Sequence, residues 1–123
     1  MEVFLDSSFI VSCMRRKIDF VSELEEKGFK VIVPREVLQE LKDLKVKKNT
    51  PREDRKVIEL AMGILESRKV NKKRIGSGIV DEALIKKGQE GVYIATLDKE
   101  IKRQVKNRVV INNAKNSIEI ERD

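Results

Sequence analysis

Val3-Phe4-Leu5-Asp6-Ser7-Ser8 sets three consecutive apolar residues ahead of a carboxylate and two hydroxyls. So short an apolar run, stopped by an acid, predicts a strand buried on both faces. Ser7 to about Arg16 then predicts a helix, so the chain begins strand, acid, helix. The alternation recurs. Val31-Ile32-Val33 predicts a second strand, with Pro34 at a helix N1 position and a helix from Glu36 to about Lys47. Val92-Tyr93-Ile94-Ala95 and Val109-Val110-Ile111 predict two more core strands, with a helix from Asp98 to Lys106 between them. A helix from Asp19 to about Lys27 stops at Gly28. Thr50 is the expected N-cap of a long amphipathic helix, Glu53 to about Arg68, carrying Val57, Ile58, Leu60, Ala61, Ile64 and Leu65. Val70 to Ile75 is a polar candidate strand, Gly76-Ser77-Gly78 a loop, Ile79 to Lys87 a short helix and Ser117 to Glu121 an edge strand. Short apolar strands alternating with helices predict an α/β protein, a three-layer α/β/α sandwich around a central parallel sheet.

The 123 residues suffice for one core, and the chain is expected to be one domain spanning 1–123. Charged residues make up 39% of it, well above the roughly 25% of an ordinary domain. Much of this is Lys and Glu, the pattern of thermophile surface ion-pair networks. The net charge of +6 favours a polyanionic partner, although 21 acids are interspersed among the 27 bases. There is no histidine and one cysteine, Cys13, which reads as a small buried hydrophobe. That excludes Ser-His-Asp catalysis, histidine zinc sites and an internal disulfide, and suits a reducing cytoplasm. The apolar run at Val3–Leu5 is too short for a signal peptide, and no segment approaches a membrane span, so a cytoplasmic location and no membrane partner are expected.

In a parallel sheet every strand-to-helix junction lies on the carboxyl edge, where open α/β folds bind ligands. Asp6 ends the first strand, Asp98 follows the strand ending near Thr96, Glu40 sits early in the helix after the second strand, and Asp81 lies in the first turn of its helix. Four acids are therefore expected near one edge. Glu40 flanks the stripe of Val37, Leu38, Leu41 and Leu44, whereas Glu36 points farther away toward solvent. Helix capping is the rival explanation for Asp6 and Asp98, and a helix dipole for Asp81. Gathered like charges, however, need a cation, and Mg²⁺ or Mn²⁺ suits oxygen ligands. Such a site can activate water against a phosphodiester without histidine.

Four stretches resemble the PIN-domain nucleases: Phe4-Leu5-Asp6-Ser7-Ser8, Val33 to Leu41, Ile79 to Ile85, and Ala95 to Ile101. They occur in the family's order over nearly the whole chain. The resemblance implies a Rossmann-like parallel sheet, a Mg²⁺ or Mn²⁺ site and endonucleolytic cleavage of RNA. It places the family's catalytic and metal-binding quartet on Asp6, Glu40, Asp81 and Asp98, and its hydroxyl residue on Thr96. Ser7 and Glu82 are supporting residues, Glu82 as a second acid beside Asp81. Ser8 stands where the family often has asparagine, and Leu97 where a polar residue is common. The closest branch is the ribosomal-RNA-processing one, with the VapC-like toxins of toxin–antitoxin pairs as near relatives. The implied partners are single-stranded or structured RNA, a second copy in a homodimer, and an antitoxin or a ribosome-assembly factor. The rival class is an inactive PIN-like module that binds RNA or protein.

Lys99, Lys102, Arg103 and Lys106 are expected on the helix opening at Asp98, as phosphate contacts or as a solvated face. The cluster Arg68, Lys69, Lys72, Lys73 and Arg74 reads either as a second phosphate contact or as a solvated loop. Gly76-Ser77-Gly78 lacks the Gly-Lys-Ser/Thr ending of a P-loop.

Overall fold

The computed structural model describes residues 1–76 and 78–122. Ser77, the middle of the expected loop, lies outside the described residues. The elements are β1 (Glu2–Leu5), α1 (Ser7–Arg15), α2 (Phe20–Glu26), β2 (Lys30–Pro34), α3 (Arg35–Val46), α4 (Arg52–Ser67), β3 (Asn71–Lys73), α5 (Val80–Gln89), β4 (Tyr93–Ala95), α6 (Lys99–Gln104), β5 (Arg108–Asn112) and β6 (Ser117–Glu121).

The strands form one sheet in the order β3-β2-β1-β4-β5-β6. All neighbours are parallel except β5 and β6. Side chains alternate across it, as strand geometry requires. Val3, Leu5, Val31, Val33 and Ala95 face a core shared with α1, α2, α3 and α4. Phe4, Ile32 and Ile94 face a second core with Leu84 of α5 and Ile101 of α6. The layers are therefore four helices, the sheet, and two helices. The chain runs outward from β1 through β2 to β3, then returns to β4 on the other flank of β1. That reversal is the topological switch point of an open α/β sheet, where a crevice opens at the carboxyl ends of the strands.

Gly28 ends α2 with φ +90°, a left-handed conformation that favours glycine. Pro34 caps α3 with an extended backbone instead of opening it at N1. Pro51, not Thr50, caps α4. The Thr50 hydroxyl instead donates to the Leu44 carbonyl at 2.6 Å, satisfying an orphan acceptor at the end of α3. Leu60 of the expected amphipathic stripe is 61% exposed, whereas Ile58, Ala61 and Leu65 are buried. Helix α6 stops at Gln104, so Lys106 lies beyond it. Cys13 is fully buried, and desolvation pushes its thiol to about 12. Among the described residues no helix is long and apolar enough to cross a membrane.

Helix α5 approaches the sheet at Gly88. A Cβ there would fall inside the van der Waals envelope of Val105 and press on Ile94. Gly88→Ala gains about 1 kcal/mol of helix propensity. It meets an overpacking cost of typically about 1–3 kcal/mol. Thermal denaturation is expected to show a lower Tm for Gly88→Ala; an unchanged or higher Tm would contradict this packing.

Candidate active site

Asp6 occupies the end of β1, beside the end of β4. Its backbone N–H donates to the Ala95 carbonyl at 2.9 Å, continuing the ladder of the two strands. The residue is only 5% exposed. A buried carboxylate must be hydrogen-bonded, and this one has three donors. Oδ1 accepts from the Ser7 backbone N–H at 2.9 Å, and Oδ2 accepts from the Thr96 hydroxyl at 2.7 Å and the Ser8 hydroxyl at 3.3 Å. An ordinary N-cap accepts from the second or third helical N–H. Asp6 is the N-cap of α1 but accepts from the first helical N–H and turns its other oxygen toward β4, so capping accounts for only part of its placement.

The network continues across the crevice. The Thr96 hydroxyl accepts from the Asp98 N–H at 3.0 Å, and the Ser8 hydroxyl accepts from the Leu97 N–H at 3.2 Å. Asp98 is the N-cap of α6: its Oδ1 accepts from the N–H groups of Glu100 at 2.8 Å and Ile101 at 3.4 Å. Capping is thus real for Asp98, but it engages one oxygen and leaves Oδ2 for another partner.

Glu40 comes from the solvent-facing side of α3, and Asp81 from the first turn of α5. Partial burial pushes the Glu40 carboxyl above the usual range, the nearby charges of Asp6 and Asp81 add to the rise, and a hydrogen bond from the Ser7 hydroxyl opposes it. Burial likewise raises Asp81, helped by Asp6 and Asp98. Of the four acids expected from the sequence, Glu40 and Asp81 therefore each feel Asp6 and one another, and Asp81 also feels Asp98. Among the described residues none of the four takes part in an ion pair. Glu82 is exposed and exerts no comparable influence on either raised acid.

Among the described residues, no three acidic side chains converge tightly enough to form a ready-made chelate. The donor set is nevertheless all hard oxygen, uncompensated and gathered at one edge. It fits a divalent ion that retains part of its water shell, as Mg²⁺ does. A groove of about 760 Å³ between α1, α2 and α4 contains none of these acids. Of the four, Glu40 alone lines a smaller cleft of about 370 Å³, with Ser7, Asp43, Leu44 and Lys47.

Two residues in this region were not expected to contribute. Ser8 joins Asp6 to the connection after β4; its position two residues after a strand-ending acid was the available signal. Glu36 does not simply point to solvent. It is half-buried, and both its oxygens lie 3.3 Å from the Ile75 N–H, tying α3 to the connection leading to α5. The basic residues form no single helical row. Lys99 and Lys102 lie on α6, Arg103 is ion-paired with Glu100, and Lys106 follows the helix. In the other cluster, Arg68 pairs with Asp19 and Glu25, Lys72 with Glu66, and Lys73 with Glu2, the surface ion-pair alternative to a phosphate site.

A comparison with curated proteins returns no match. A family model described as a PIN-like domain matches residues 3–112, a span that includes all four acids and both halves of the sheet. The chain belongs to the PIN-like domain family, whose members are generally nucleases that use divalent metals.

Proposed function

We propose that the protein is a divalent-metal-dependent endoribonuclease, with Asp6, Glu40, Asp81 and Asp98 as its metal-binding and catalytic acids. One observation carries the reading: among the described residues none of these four carboxylates is ion-paired with a cationic side chain, and Glu40 and Asp81 are raised by burial and by the charges of their acidic neighbours. Self-repulsion of this kind destabilises a fold and is relieved by a bound cation. Mg²⁺ or Mn²⁺ would supply an acidified water and stabilise the leaving oxygen. The chain's own part is positional. Ser7, Ser8 and Thr96 fix the Asp6 carboxylate, the α6 cap fixes Asp98, and Glu40 and Asp81 enter from helices on opposite faces of the sheet. The net charge of +6 supports a polyanionic substrate.

Asp98→Asn separates capping from catalysis. The amide oxygen can keep the bonds to Glu100 and Ile101, because Asn and Asp cap about equally well. Metal-free stability is expected to hold level or rise. The metal-induced rise in Tm should shrink, and cleavage of unstructured RNA under Mn²⁺ should fall at least about a hundredfold. Parental cleavage by the folded variant at saturating metal would refute the site. Asp6→Asn is a poorer probe, because an amide nitrogen at Oδ2 cannot accept from Thr96 and Ser8.

The raised carboxyls also fix a pH dependence. A group whose pKa is higher in the folded than in the unfolded protein favours folding below its unfolded pKa, and that contribution is lost as pH rises through the folded value. For Glu40 and Asp81 the window opens at the ordinary values of 4.5 and 3.8 and extends upward. In chelator, the Tm of Asp81→Asn relative to the parent should therefore climb as pH rises through that window, and saturating Mg²⁺ should reverse the trend. A pH-independent difference between the two proteins would show that the charges are not coupled as described.

A further inference from the structure

Beside the acids, a second cleft of about 370 Å³ shares Ser7 and Leu44 with the one holding Glu40. Its floor is one face of α1: Ser8, Val11, Ser12 and Arg15 follow helical i, i+3, i+4, i+7 spacing. Leu44 of α3 and Leu97 of the connection after β4 complete it. The cleft is mainly apolar and, unlike the adjoining one, contains no carboxylate, and Leu44 stays 40% exposed. The Leu97 wall is tied to the acids, because the Ser8 hydroxyl that accepts from its N–H also donates to Asp6. Two polar groups remain available. Among the described residues the Ser12 hydroxyl has no hydrogen-bond partner. Arg15 uses only Nη2 toward Asp54, at 2.6 Å, and its side chain is 53% exposed.

We propose that this cleft is a nucleobase subsite, holding the base of a single-stranded RNA next to the scissile phosphate. The proposal rests on the nuclease reading above and names the substrate feature that reading leaves open. A phosphate would be repelled by the neighbouring acids, and a bare sugar would leave Val11, Leu44 and Leu97 in water. A base has an apolar face to lay against these three side chains. Its polar edge can meet the Ser12 hydroxyl and the remaining guanidinium donors of Arg15. Lys47, exposed and without an ion pair among the described residues, lines the adjoining cleft together with Glu40 and Asp43. The volume lies within the roughly 300–1,000 Å³ range of small-ligand sites.

The test uses the full chain with labelled methyl groups, in chelator, titrated with the four nucleoside 5′-monophosphates and with ribose 5-phosphate. The nucleotides should shift the methyl resonances of Val11, Leu44 and Leu97, and ribose 5-phosphate should not. Ser12→Leu, which fills the cleft, should abolish the shifts. In RNA cleavage under Mn²⁺, Leu44→Ala should raise KM roughly tenfold with kcat nearly unchanged, the scale of a lost apolar contact in a pocket. The metal-induced rise in Tm should be kept. Equal responses to nucleotide and ribose phosphate, responses located elsewhere, or an unchanged KM in Leu44→Ala would overturn the subsite. Base-dependent shifts in a protein that cleaves no RNA would refute the nuclease and leave the subsite standing. Cleavage without such shifts would do the reverse.

Discussion

A carboxylate removed from water must find donors or a counter-charge, and at the end of β1 Asp6 finds donors. Thr96 supplies one from the end of β4, Ser8 another from the first turn of α1, and the backbone of Ser7 a third. Each belongs to an element whose position the sheet already dictates. The buried acid thus fastens β1, β4 and α1 together, and Thr96 passes the constraint on to the Asp98 backbone. The remaining features of the crevice follow from this arrangement. Burial raises the carboxyls of Glu40 and Asp81, and the proximity of Asp6 adds to the rise.

The fold could be read from the sequence wherever burial acts on both faces of a strand. Val3-Phe4-Leu5, Val31-Ile32-Val33 and Tyr93-Ile94-Ala95 alternate between the two cores without a polar interruption. Strand ends in a parallel sheet converge by topology alone, so four acids are expected near one edge without any contact information. What the sequence hid depends on distant partners. Thr50 looks like a cap until the α3 carbonyl at Leu44 claims its hydroxyl. Glu36 looks solvated on a helical wheel, because nothing local indicates that Ile75, 39 positions later, will present its N–H there. Lys106 lies past the end of α6, since Val105 packs into the second core in an extended conformation that breaks the helix.

Charge has two roles here, and they are separated in space. Around α2, α4 and β3, cations and anions pair off at the surface, where each such pair is worth at most about 1 kcal/mol. Around the crevice the acids are unpaired. A net positive chain thus leaves these four acids without an ion pair among the described residues. Composition reported only the sum, and only the packing shows which charges already have partners.

Glu36 and Glu40 lie one turn apart on α3, and the hydrogen bond from Ile75 to Glu36 fastens the strand-to-helix connection before α5 to that same turn. Asp6 and Asp98, by contrast, are strung together by hydroxyls and backbone along the sheet edge. The four carboxylates therefore divide mechanically into a fixed jaw, built on β1 and β4, and a carried jaw, in which Glu40 rides on α3 and Asp81 follows a connection moored to it. A cation bridging the gap between the jaws would act as a clasp, bracing the helix layers against the sheet at its carboxyl edge.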